Sequence, residues 1–207
     1  YRRLFVALAG SLCLALVSCG GGDDSLASRS DLKVGESSAG ATPFIARVRL
    51  TGVALAQVAE IRYVIAPKAG AAAQAVDVTY SARALERAGD LVASAGTATL
   101  PVFGLYAGRT NTVSIIVTFA DGTRQAFSAS VVAPPFTDTN AGLDRPLLRK
   151  PLTAPHTLGY NFFYLKSGIS GPVVVDVDGE VRWVVPEPMN AYSSAFVENG
   201  FIVGAPN

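Results

Sequence analysis

The sequence predicts an all-β protein: an immunoglobulin- or fibronectin-like β-sandwich followed by the first blade of a truncated β-propeller. Three observations carry this. Short runs of alternating apolar and polar residues, the period of two of a half-buried strand, recur from Phe44 to Val131 and again after Tyr160. Asp121-Gly122, Asp178-Gly179 and Asn199-Gly200 stand between such runs as short hairpin signals. Twelve prolines and twenty glycines punctuate the chain, which favours many turns over long helices.

Half of the 207 residues are hydrophobic and only 16% are charged, the profile of a well-packed globular protein. The formal charge is +1, and losing Arg2 and Arg3 with a leader would turn it slightly acidic. No basic field remains for a polyanion, so nucleic acid is excluded as a partner.

In chain order, Arg2-Arg3 and the apolar run Leu4 to Val17 are the charged and hydrophobic regions of a leader too short to be a comfortable spanning helix. Leu16-Val17-Ser18-Cys19 resembles a bacterial lipobox, with a branched apolar residue three before the cysteine and a small residue directly before it. Residues 1–18 are therefore expected to be a lipoprotein signal peptide and Cys19 the lipidated first residue; an ordinary cleaved secretory leader is the alternative. Gly20 in place of an aspartate implies, by the same resemblance, delivery to the outer membrane, so the expected location is the cell envelope, lipid-anchored on the periplasmic side or at the surface. Cys13 leaves with the leader, so no thiol is left to form a disulfide. Residues 19–41, small, polar and aperiodic, read as a flexible tether.

Order is expected from Thr42, and the sandwich from 42 to 133. Phe44, Ala46, Val48 and Leu50 alternate inward, as do Ala59, Ile61, Tyr63 and Ile65, then Val76, Val78 and Tyr80. Pro67 to Ala75 is a loop; Ser81 to Ala88 has room for a helical turn or two stopped by Gly89. Thr97 to Val102 is strand-like and Gly104 to Gly108 bends. Val113, Ile115, Val117 and Phe119 then form a hairpin with Phe127, Ala129 and Val131 across Asp121-Gly122. Roughly seven short strands with frequent turns make a sandwich.

Pro134-Pro135 ends it, and residues 134–158, with Pro146, Pro151 and Pro155, form a proline-rich connector. Residues 159–207 read as the start of a propeller. Tyr160 to Leu165, Val173 to Val177 and Val181 to Val185, with the hairpin around Asn199-Gly200, suggest a four-stranded meander with an extra strand. Asp178-Gly179 suits a type I′ turn, with Trp183 facing a buried layer and Arg182 exposed. One blade cannot bury its own faces, and the chain opens on Tyr1 and stops at Asn207; we expect a longer parent protein.

LPVFGLYAGRTNTVSIIVTFADG, Leu100 to Gly122, resembles the amino-terminal domain of bacterial arylsulfate sulfotransferases, and NFFYLKSGISGPVVVDVDGEVRWVV, Asn161 to Val185, resembles the start of their catalytic propeller. The resemblance implies a sandwich followed by a six-bladed propeller. It implies sulfuryl transfer from a phenolic sulfate donor to a phenol acceptor, without phosphoadenosine phosphosulfate, through a sulfated histidine. In that family the histidine and its arginine and asparagine partners lie on later blades, so no catalytic residue is assigned before Asn207 and this portion alone is expected to be inactive. The family's soluble periplasmic members have a plain leader; Cys19 departs from that pattern.

His156, the single histidine, lies in the connector with no second histidine or arginine cluster, and reads as structural or exposed. Asp176, Asp178 and Glu180 superficially resemble a calcium loop, but they straddle a tight hairpin and lack further oxygen donors. Tyr160, Phe162, Phe163 and Tyr164 suit blade packing better than a phenol pocket. No zinc spacing, phosphate-cradling loop or serine elbow is present, so no cofactor or metal is predicted. The alternative to a transferase is a non-catalytic surface lipoprotein that binds a glycan or protein through its loops. A homodimer is left open.

Overall fold

Alternation at period two puts every second side chain of a strand on one face, and two such faces must cover each other to leave water. The computed structural model, which describes residues 31–138, 144, 149, 152–153, 161–165, 172–185, 195–197 and 200–202, shows this arrangement. Its elements are β1 (Lys33–Ala39), β2 (Ile45–Thr51), β3 (Val58–Ile65), β4 (Val76–Ser81), α1 (Ala82–Ala88), β5 (Leu91–Val92), β6 (Thr97–Phe103), β7 (Thr110–Phe119) and β8 (Arg124–Val132). After them come β9 (Phe162–Leu165), β10 (Val173–Asp176), β11 (Val181–Val184), β12 (Ala195–Val197) and β13 (Gly200–Ile202).

The first eight strands form two antiparallel four-stranded sheets, ordered β1-β2-β6-β5 and β4-β3-β7-β8. Val48, Leu50, Leu100 and Val102 from one sheet and Ile61, Val113, Ile115 and Val117 from the other are completely buried in a shared core. Tyr63 ties the two sheets together. Its ring lies in the core, and its hydroxyl takes the Phe103 N–H at 3.0 Å and donates to the Phe103 carbonyl at 3.3 Å.

Burial pushes the Tyr63 phenol far up and that of its neighbour Tyr80 to about 12. A phenol whose folded pKa exceeds its unfolded value contributes stability present below the unfolded pKa and lost as pH rises through the folded one. Denaturation followed between pH 10 and about 12 should therefore show falling stability, and Tyr80→Phe should flatten the fall. An identical pH slope in the variant would contradict this.

The sandwich includes residues that the sequence assigned to the tether. β1 pairs with β2 from Lys33–Thr51 to Ala39–Ala46, with a bulge between Val34 and Ser37. Leu32 is buried in the core, and Asp31 Oδ2 accepts the Ala54 N–H at 3.0 Å, capping a 3-10 turn over Val53–Gln57. The strand is hidden from pattern reading because it is an edge held by backbone pairing. Its residues are mostly exposed and need no apolar period.

α1 forms where expected. The Ser81 hydroxyl accepts the Ala84 N–H at 3.2 Å, Leu85 is buried, and left-handed Gly89 ends the helix.

Beyond the sandwich, β9, β10 and β11 form an antiparallel sheet in the order β11-β10-β9, and β12 and β13 pair as a separate hairpin. Among the described residues these five strands therefore lie in two sheets, one of three strands and one hairpin. The turn between β10 and β11 differs from expectation. Asp178 does not have a positive φ; only Gly179 does, at 78°. Gly179 N–H reaches the Asp176 carbonyl at 3.0 Å and Asp176 N–H the Glu180 carbonyl at 2.9 Å, a wider loop with a glycine bulge. Asp176 Oδ1 selects it by accepting the Asp178 and Glu180 N–H groups at 3.0 and 2.9 Å.

Candidate functional site

The sequence-predicted polar residues converge where the β9–β11 sheet meets one end of the sandwich. The receiving surface is the bend Gly104 to Gly108 and the β3–β4 loop. Buried Asn111 shapes the bend by accepting the Tyr106 N–H at 2.8 Å and donating to the carbonyls of Tyr106 at 2.9 Å and Arg109 at 3.3 Å. An asparagine is suited to this task because its amide accepts and donates at once.

Onto this bend comes Arg182, which is only 2% exposed. Its Nη1 donates to Asp176 Oδ2 at 2.8 Å, and its Nε and Nη2 donate to the Gly104 carbonyl at 3.0 and 2.5 Å. Its guanidinium carbon lies 3.6 Å from the centroid of the Tyr106 ring, close enough for a stacked cation–π contact. The sequence reading of Arg182 as exposed and Trp183 as buried is corrected: Arg182 is buried and Trp183 only partly covered. The cause is a bulge. Pairing steps from Val174–Trp183 to Val175–Val181, leaving Arg182 as the extra residue and turning its side chain out of the alternation.

The three acidic residues are each engaged. Asp176 holds Arg182 and the turn. Asp178 accepts the Ala72 and Ala73 N–H groups at 3.0 and 2.8 Å, and Glu180 pairs with Lys68. Asn161 adds a two-way bond to the backbone of Gln74, at 2.6 and 3.1 Å. Burial pushes the Asp176 carboxyl up, against the pull of Arg182 and the backbone N–H groups. Among the described residues no His, Cys, Asp and Glu side chains gather in threes as metal ligands. An apolar cluster flanks the polar one: Phe44, Ala107 and Phe136 pack with Val173, Val175, Val181 and Val184, and the Phe44 and Phe136 rings meet edge-on at 5.0 Å.

Phe162 and Phe163 on β9 are more than one-third exposed. Phe162 lies 5.9 Å from the Arg182 guanidinium. His156, Tyr160 and Cys19 lie outside the described residues. The sequence reading missed Lys68 and Tyr106 as partners of the hairpin and Asn111 as the residue that shapes the bend. The repeated small residues and the lone asparagine around the bend were the available signal.

The arrangement is a joint: it holds a second sheet against the sandwich through buried polar contacts, and it contains no nucleophile-and-base pair among the described residues. Residues 40–134 match the family model of the arylsulfotransferase Ig-like domain, which spans the sandwich except for β1. No curated protein matches the chain. The two four-stranded sheets and this match assign residues 40–134 to an arylsulfotransferase Ig-like domain.

Proposed function

We propose that the chain is the amino-terminal part of an arylsulfate sulfotransferase that moves a sulfuryl group from a phenolic sulfate ester to another phenol. The observation that carries this reading is the family match over residues 40–134. A three-stranded antiparallel sheet seated on the matched domain supports its continuation as a propeller. In this reading a histidine on later blades attacks the sulfur as the first phenolate leaves. The second phenol then takes the sulfuryl group and regenerates the imidazole. Cationic donors around the sulfate oxygens would stabilise the charge that builds there. The sandwich contributes position: Arg182, Asp176 and Asp178 fix the first sheet, from which the ring is built.

The test uses the parent protein expressed without its leader and incubated with 4-nitrophenyl sulfate and phenol. Nitrophenol release that depends on added phenol is expected. Release that is absent, or indifferent to phenol, sinks the transferase reading and leaves a binding lipoprotein. The anchor is proposed at Cys19, at the outer membrane, and is checked in the same gene with its leader. A clickable palmitate should label the protein and fail to label Cys19→Ala; equal labelling of both removes the anchor.

A further inference from the structure

Strand direction gives the two ends of the sandwich different work. β3 starts at Val58 beside the 3-10 turn Val53–Gln57 and finishes at Ile65, where the loop to β4 carries Lys68, Ala72 and Ala73 to the joint. The opposite end receives the chain. There Asp31 Oδ2 takes the Ala54 N–H, Leu32 is buried, and a β-carbon on Gly52 would come within 2.7 Å of the Asp31 carbonyl. The turn after β2 meets a second 3-10 turn, Ala93–Ala95, through the Gly52 N–H and the Gly96 carbonyl at 2.9 Å. Between the two turns lies a shallow groove of about 620 Å³, lined by Gly52, Val53, Ala56, Ala93, Ala95 and Gly96 with threonine and serine beside them. Among the described residues no charged side chain lines it. Val53 is 79% exposed and Val92, next to Ala93, is 45% exposed; apolar surface held out in this way marks a contact site.

What is attached to this end says what covers it. Cys19 lies twelve residues before Asp31, a span of at most about 40 Å. We propose that this end of the sandwich rests on the surface of a lipid bilayer, with Val53 and Val92 at the boundary of headgroups and acyl chains. The proposal rests on the anchor read at Cys19. Lys33 suits the same surface, because it stands across from the groove residue Thr51, is exposed and makes no ion pair among the described residues. Its charge faces anionic headgroups. The consequence is a stand-off: the eight residues of β3 hold the joint about 25 Å from the membrane-facing end, which keeps the second sheet clear of the lipid.

The test couples the leaderless protein through its Cys19 thiol to a maleimide phospholipid in vesicles of phosphatidylethanolamine and phosphatidylglycerol. Amide hydrogen exchange is then compared with that of the uncoupled protein. Exchange across Val53–Gln57 and Ala93–Ala95 should slow by about tenfold, the preference that burying the two methyl groups of Val53 supplies, while β10 and β11 stay unchanged. Val53→Asp should abolish the slowing and leave Tm unaltered, since the side chain stands in solvent. Unchanged exchange at both turns overturns the proposal, as does equal slowing in Val53→Asp. Slowing that appears without vesicles and grows with protein concentration also overturns it, because a second copy then covers this end. Chemical coupling makes the result independent of whether cells acylate Cys19, which palmitate labelling decides separately.

Discussion

Replacing Arg182 with alanine is expected to cost the attachment of the β9–β11 sheet about 3–5 kcal/mol, the usual consequence of removing one partner from a buried ion pair. Asp176 would keep a carboxylate that is completely buried, and the Gly104 carbonyl would lose both its donors. The damage should be local. Amide hydrogen exchange should accelerate across Val173–Val184, while β2, β3, β6 and β7 stay protected by a core that does not contain Arg182. Unchanged exchange in β10 and β11 would show that the apolar cluster around Phe44 holds the sheet unaided. The double variant Asp176→Asn, Arg182→Met removes both charges and should recover much of the loss, because an unpaired buried charge costs more than an absent pair.

Asn111→Leu is the second large effect, and here the sandwich itself should suffer. Leucine occupies a similar volume but leaves three backbone groups, the Tyr106 N–H and the carbonyls of Tyr106 and Arg109, without the partner that Asn111 supplies. At about 1–3 kcal/mol per buried unmet group, partly relieved by water at Arg109, a total near 3 kcal/mol is expected. For a domain of this size that lowers Tm by roughly 10–20 °C. Asn111→Asp discriminates further: it can still accept the Tyr106 N–H, but it buries an unpaired carboxylate against the two carbonyls, so at neutral pH it should cost at least as much as leucine. A Tm within a few degrees of wild type for Asn111→Leu would mean that the bend holds its shape by other means. Because the bend carries Tyr106 under Arg182, the Asn111 and Arg182 variants should not add independently in their effect on the second sheet.

The sandwich core was legible because both of its layers obey the period of two, and Ile61, Tyr63, Val113 and Ile115 fall where alternation puts them. β1 was not legible, since a polar edge strand satisfies only its backbone. Asp178-Gly179 gave the place of the turn but not its type, which Asp176 decides through its own side chain two and four residues back from the groups it binds. Arg182 was misread because a bulge changes phase within one strand, and nothing in a run of valines marks where the phase slips. The partners Lys68, Ala72, Ala73 and Gly104 lie 78 to 112 residues from the hairpin residues they bind, beyond any local pattern.

The second sheet addresses the sandwich largely through main-chain atoms: the carbonyl of Gly104, the N–H groups of Ala72 and Ala73, and both backbone groups of Gln74. Recognition of that kind depends on the path of the loop and is indifferent to most of its side chains. Sequence drift at the exposed positions of the alanine-rich segment should therefore pass silently for as long as the path is kept, whereas Ala72 and Ala73, buried against Val177, must stay small. Proline at position 72 or 73 is an exception, because it deletes the very N–H that is read.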